Sequence, residues 1–238
     1  MNIALIGYGK MGKAIEKIAL ERGHNIVAKI GSGGFIADDL AYADVCIEFS
    51  RPECGYENVT NCVKFGKPVV SGTTGWIDRL PKVKKLVFNN NGSFFYASNF
   101  SLGVNVFFAI NEYLAKIMNH FDEYDAAVHE VHHTAKLDAP SGTAITIAQQ
   151  IVDNLDRKTG YALDATANET LKITAERKDP APGTHHVKYT SAIDDIEIIH
   201  TAHNRQGFAI GAVLAAEWLL DKQGSFGMED MLKLNDLK

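Results

Sequence analysis

The chain opens on Asn2-Ile3-Ala4-Leu5-Ile6, passes directly into Gly7-Tyr8-Gly9-Lys10-Met11-Gly12, and continues with residues spaced for a helix. No other feature restricts the fold as much. A short, continuous apolar run predicts a strand buried on both faces, as in parallel sheets. Met11, Ile15, Ile18 and Ala19 fall on one helical face, and Gly23 stands where a left-handed residue closes such a helix. The three glycines between strand and helix have separate tasks. The first permits the tight turn, the second lets backbone approach a pyrophosphate, and the third lets helix and strand pack closely. A glycine triplet alone is weak evidence. Set between a strand and a helix, it predicts a dinucleotide whose phosphates rest on free helix N–H groups.

Ile26–Ile30, Val45–Phe49, Val69–Ser71 and Phe94–Ala97 read as further strands separated by helical or turn-rich stretches, the βαβ rhythm of a Rossmann sheet. The rhythm changes near Gly103. A long helical pattern, Val106 to Met118, leads into an apolar strand at Ala126–Val131, and the runs 171–174, 186–189 and 196–200 suggest a second, mixed sheet around a Pro180–Gly183 loop. An Ala-rich helix, Ala209–Leu220, is expected to pack back on the first domain. The expected architecture is α/β: an N-terminal Rossmann parallel sheet from residues 1–103 and 206–238, and a second α+β domain from 104–205. Two crossings between the domains make a natural hinge.

At 238 residues and 46% hydrophobic content the chain can bury a substantial core. A net charge of -5 and a pI near 6.0 give no electrostatic reason to favour nucleic acid or an anionic membrane, so an anionic substrate needs a local positive pocket. The N-terminus lacks a signal-peptide pattern and no apolar run reaches membrane-spanning length, which points to a cytoplasmic protein. Cys46, Cys54 and Cys62 form no Cys-x-x-Cys pair and are expected to be reduced, partly buried thiols.

The acid that usually binds the adenosine ribose should lie about 20 residues past the glycine turn. That position is Gly31, with Lys29 and Ser32 beside it, so NADPH is expected to serve at least as well as NADH. Ser71-Gly72-Thr73-Thr74-Gly75 and Ala97-Ser98-Asn99-Phe100 each follow a strand, where ligands bind in open parallel sheets; for Gly72–Gly75 an ordinary glycine turn is an equal reading.

The segment Glu130-Val131-His132-His133-Thr134-Ala135-Lys136-Leu137-Asp138-Ala139-Pro140-Ser141-Gly142-Thr143-Ala144 concentrates two imidazoles, an ammonium and a helix start. Ser141, Gly142 and Thr143 precede Ile147, Ala148, Ile151, Val152 and Leu155. Their hydroxyls and free N–H groups therefore stand at a helix N-terminus suited to a carboxylate. Lys136 adds a full charge, and His132 or His133 titrates in the range needed to give or take a proton. Singly, each residue is equally a cap or a surface histidine; jointly that is much less plausible. Metal binding by the chain's histidines is not expected, since no helical segment carries a His-x-x-x-His pair. A noncatalytic dinucleotide sensor or a metal hydrolase remain alternatives, although a sensor has little need of imidazoles and an ammonium beside an anion site.

These motifs, together with Asn99-Phe100-Ser101-Leu102-Gly103-Val104-Asn105, Gly183-Thr184-His185 and the tail Phe226–Leu232, resemble the 4-hydroxy-tetrahydrodipicolinate reductase (dihydrodipicolinate reductase) family along the whole chain. The resemblance implies that NADPH or NADH delivers hydride to ring C4 of a small cyclic dicarboxylate after the 4-hydroxyl leaves as water, with protonation at C3, in lysine and diaminopimelate biosynthesis. It implies His132 as acid/base, Lys136 as proton donor, and His133, Ser141, Gly142 and Thr143 as substrate contacts. The implied cofactor set is Gly7, Tyr8, Gly9, Lys10, Met11, Gly12, Ser32, Phe49, Gly72, Thr73, Thr74, Ala97, Ser98, Asn99 and Phe100. Homotetramers built through the substrate-domain sheet, with domains that close on the ligand, are implied too. Gly31 at the acid position, a short stretch from Gly31 to Asp44, and Lys178-Asp179-Pro180 after Arg177 depart from the family pattern.

Overall fold

The computed structural model describes residues 1–204 and 206–234. In chain order the elements are β1 (Asn2–Ile6), α1 (Lys10–Glu21), β2 (Asn25–Ile30), β3 (Val45–Glu48), α2 (Pro52–Lys64), β4 (Val69–Ser71), α3 (Leu80–Asn89) and β5 (Ser93–Tyr96). There follow α4 (Leu102–Met118), β6 (Asp125–His132), α5 (Gly142–Asn154), β7 (Gly160–Leu163), β8 (Thr170–Arg177), β9 (Gly183–Thr190) and β10 (Asp195–Ala202). The chain ends with α6 (Gln206–Leu219), β11 (Gly224–Phe226) and α7 (Met228–Met231). The elements fall into two compact units, one from the chain up to Leu102 and from Gln206 on, the other from Gly103 through β10.

The first unit is a six-stranded sheet ordered β11-β5-β4-β3-β1-β2, with every pairing parallel. Its strands read as unbroken apolar runs because helices cover both faces. Side chains alternate across the pleat. Ile3, Leu5, Val45, Ile47 and Phe95 meet Ile15 and Ala19 of α1 and Ala212 and Ala216 of α6. Ala4, Ile6, Cys46, Val69 and Phe94 meet Val59 and Cys62 of α2 and Val83 and Val87 of α3. The small residues of α6 permit close approach: a Cβ on Gly211 would lie 1.8 Å from the Phe100 carbonyl oxygen. Arg22 at the end of α1 grips Glu217 of α6 through two bonds of 2.8 Å.

The second unit is a mixed sheet ordered β10-β9-β6-β8-β7, with β6 antiparallel to β9 and parallel to β8. On β6, Ala126, Val128, Glu130 and His132 are buried while Ala127, His129 and Val131 are half-buried. The apolar part of that inward row packs with Phe107 and Met118 of α4 and Ile147 and Ile151 of α5. Its last two members are ionisable, so the carboxyl end of β6 becomes polar inside the unit.

The sequence reading did not anticipate β7, β11 or α7, which are too short to carry a period and exist through pairing with β8, β5 and neighbouring turns. Strand β8 runs on past Thr174 to Arg177, which brings that guanidinium beside β6. Cys46, Cys54 and Cys62 are free thiols, the first and last buried.

Candidate active site

In the first unit the glycine turn lies at the carboxyl end of β1, where strand order reverses between β2 on one side and β3 on the other. Gly7 adopts φ +92°, and a Cβ there would lie 2.1 Å from the Phe49 carbonyl oxygen. On Gly12 a Cβ would lie 2.3 Å from the Gly7 carbonyl oxygen, whereas on Gly9 it would meet nothing within 4 Å. So the first and third glycines are required by the fold itself, and the second faces open space where a phosphate has room. A cavity of about 950 Å³ begins there, lined by Gly7, Tyr8, Gly9, Ser32, Phe49 and Arg51 among others. These residues fit a dinucleotide. Lys10, Met11 and Gly12 form the first turn of α1. Lys29 is not free to meet a phosphate, because its ammonium pairs with Glu16 at 2.5 Å and sits over the Tyr8 ring.

Other expected cofactor residues turn their side chains into the unit. Phe100 is buried, with its ring 5.4 Å from that of Phe49 and 5.9 Å from that of Phe95. Thr73 is buried and donates to Glu48 Oε1 at 2.8 Å. The Ala97 N–H reaches the Ser71 carbonyl, and the Asn99 side chain accepts from Ser101 N–H at 2.9 Å. In Gly72 a Cβ would lie 2.2 Å from the Phe49 ring, so the ring that this glycine accommodates belongs to the protein. Thr74 and Ser98 keep exposed side chains, so in Gly72–Thr74 and Ala97–Asn99 these two side chains and the backbone are left to meet a ligand.

In the second unit the register of β6 with β8 and β9 places Glu130, His132, Arg177 and His185 together. Glu130 has no exposed surface. Its carboxylate accepts from Ser141 N–H at 3.1 Å and from Arg177 Nη2 at 3.3 Å, and lies 3.4 Å from His132 Nδ1. His185 Nε2 is 3.2 Å from Ser141 Oγ, and its ring stands edge-on to that of His132 at 5.2 Å. The other His132 nitrogen, Nε2, points toward Gly183, where a Cβ would be only 3.1 Å away. A larger residue there would crowd the imidazole.

Ser141 caps α5 by accepting from Ala144 N–H at 3.1 Å, as its residue type and place require. Gly142 and Thr143 then occupy the first turn, whose N–H groups have no partner within the helix. A Cβ on Gly142 would meet nothing within 4 Å, so this glycine leaves open approach to the helix end. Lys136 lies close by in sequence, but its charge is matched: both Asp138 carboxylate oxygens are 2.7 Å from Nζ. Arg177 bonds the carbonyls of Lys136 and Asp138 at 3.3 and 2.7 Å, holding that loop in shape. His133 is anchored through its N–H to the Ala181 carbonyl at 2.8 Å.

Burial pushes the His132 imidazole below its ordinary range, and Lys136, Arg177 and His133 act the same way against the opposing pull of Glu130. His185 is pushed down to about 4, first by burial and then by His132. Both shifts favour the neutral imidazole at pH 7. The Asp138 carboxyl is held below its usual range by the bond from Lys136.

Among the described residues one group of potential metal donors converges: Glu130, His132 and His185, with donor atoms within 4.8 Å of one another. The guanidinium 3.3 Å from the same Glu130 carboxylate opposes a second cation there. Proton chemistry suits this cluster better. Glu130, Arg177 and His185 were not singled out as site residues by sequence reasoning. The available signal was the strand alternation that puts Glu130 on the same face as His132, an ionisable residue in an otherwise apolar inward row.

A parallel sheet with a dinucleotide cradle, and a separate unit with imidazoles beside an open helix N-terminus, define a two-domain nicotinamide-dependent oxidoreductase. Comparison with known proteins narrows the class. Family models described as dihydrodipicolinate reductase N-terminus and C-terminus match residues 1–100 and 103–232. The chain belongs to the dihydrodipicolinate reductase family. It is 49% identical to a 4-hydroxy-tetrahydrodipicolinate reductase of Christiangramia forsetii over 98% of both chains. It is 34% identical to the enzyme of that name from Chromobacterium violaceum, again over 98% of both. A dipicolinate-bound dihydrodipicolinate reductase from Paenisporosarcina sp. TG-14 shares the fold, with a TM-score of 0.76, 22% identity, and 97% of this chain and 98% of that one covered.

Proposed function

We propose that this chain reduces 4-hydroxy-tetrahydrodipicolinate to tetrahydrodipicolinate, with loss of water, in lysine and diaminopimelate biosynthesis. The observation that carries this reading is the buried Glu130–His132–His185–Arg177 cluster beside the open N-terminus of α5, in a chain 49% identical to a reductase of that name. Reduced nicotinamide, when bound, supplies the hydride. The chain's own residues bind and move protons. The free N–H groups of Gly142 and Thr143 hold one substrate carboxylate. Lys136, released from Asp138 by the competing anion, pairs with the substrate and donates a proton. His132, oriented by Glu130 at Nδ1, exchanges a proton through Nε2.

The test is an assay following nicotinamide absorbance with substrate generated in situ. His132→Gln and Lys136→Ala are expected to lower kcat by about 100-fold or more, the size usual for a lost acid or base, and much more than they raise KM. Near-normal kcat in both variants would overturn the roles.

NADPH serves at least as well as NADH in this reading. Gly31 presents no carboxylate to repel a 2′-phosphate, Ser32 and Arg51 line the cavity, and of its two acids, Asp39 and Glu57, the first accepts from the Ile36 N–H at 2.8 Å. Steady-state kinetics with both cofactors check it, and a strong NADH preference would refute it. The assembly is a homotetramer, formed through the uncovered face of the second sheet. The protein works in the cytoplasm; no described helix is long and apolar enough to cross a membrane.

A further inference from the structure

Glu48, the last residue of β3, has no exposed surface, and among the described residues the donors to its carboxylate are neutral. Oε1 accepts from Ser50 N–H at 3.1 Å, from the Ser50 hydroxyl at 2.5 Å and from the Thr73 hydroxyl at 2.8 Å. Oε2 accepts from the Ser71 hydroxyl at 2.6 Å. Ser50 N–H is shared with Thr73 Oγ1 at 2.8 Å, and the Asn58 amide donates to Ser50 Oγ at 3.1 Å. One carboxylate therefore ties the turn after β3 to the loop after β4. Phe49, in that turn, presses its carbonyl against Gly7 and its ring against Gly72.

A staple of this kind does not require a charge. Burying an ionised carboxylate carries a desolvation cost that an amide of the same size avoids. The charge has a use in the chemistry of the reading proposed above. A dinucleotide crosses the sheet where strand order reverses; with adenosine toward β2, its other half lies toward the ends of β3 and β4. Losing hydride turns a neutral dihydropyridine into a pyridinium cation, and a fixed negative charge in a low-dielectric wall favours the cation.

We propose that Glu48 is a positioning residue for the nicotinamide half of the cofactor, joining the β3 and β4 loops into one wall and, by its charge, favouring the oxidised cofactor over the reduced one. This rests on the reductase reading. The test is calorimetric titration of the full chain with NADP⁺ and NADPH separately, comparing Glu48→Gln with the unaltered protein. The expected result is that Kd for NADP⁺ rises about tenfold while that for NADPH rises less than about threefold, the scale of one partly screened charge. Equal weakening of both cofactors, as a merely structural staple predicts, would overturn the proposal, and so would no change in either. Should Glu48→Gln not fold, Glu48→Asp withdraws the charge by one methylene, and an unmoved ratio of the two constants has the same force. If the reductase reading itself fails, the unaltered protein does not consume reduced nicotinamide with substrate generated in situ, a result distinct from an unmoved ratio.

Discussion

His185 has 4% of its surface exposed and no cation-stabilising partner strong enough to offset burial, so its proton affinity is set by desolvation. The sign of the consequence follows from linkage. Its folded pKa, about 4, lies below the unfolded value of 6.5, so the unfolded chain binds more protons between the two. Stability from this group is complete above pH 6.5 and is lost as pH falls toward 4, amounting to a few kcal/mol at most. His132 acts in the same direction. Melting temperature measured from pH 7 to pH 4 is therefore expected to fall steeply, and His185→Gln to flatten that fall. An identical slope in the variant would show that other groups control acid stability. At neutral pH the same variant removes both the Ser141 contact and the 3.8 Å approach to Glu130.

At the scale of elements, the turn between β1 and α1 joins stability to binding through the glycines. A Cβ on Gly12 would stand 2.3 Å from the Gly7 carbonyl oxygen, backbone against backbone, so no rotamer can relieve it. Gly12→Ala is expected to push α1 off the sheet, at a cost of about 1 to 3 kcal/mol, and to weaken NADPH binding at least tenfold. Gly9→Ala, which meets nothing in the protein, should leave the urea unfolding midpoint unchanged and still weaken the cofactor. Equal binding by both variants and the unaltered chain would remove the pyrophosphate from this turn. The start of α5 was legible from local chemistry alone: Ser141 had to cap it, because its side chain and the Ala144 N–H are brought together by the first turn. Helix α4 begins at Leu102, ahead of the Val106 expected from periodicity, since its first turn carries little apolar pattern.

At the scale of the whole molecule, the second sheet packs one face on α4 and α5, while the other carries Ile199, His186, His129 and Thr174 in register across four strands. Ile199 is 57% exposed in the single chain, an unusual place for isoleucine in a sheet. Light scattering is expected to give four times the 26.1 kDa of one chain, and Ile199→Lys to lower that mass. A mass of one chain for the unaltered protein would end the tetramer reading. By itself the sequence determined the features that depend on neighbours along the chain: the buried first strand, the glycine turn, the helix caps, and which residues alternate inward. Only the tertiary structure decided the company those residues keep. Glu130 meets Arg177 and His185 because β8 and β9 flank β6, and Glu48 collects hydroxyls from two loops. A strand's period tells which face a side chain takes, but the choice of neighbouring strand and register rests on long-range packing, and there the charges of this site are balanced.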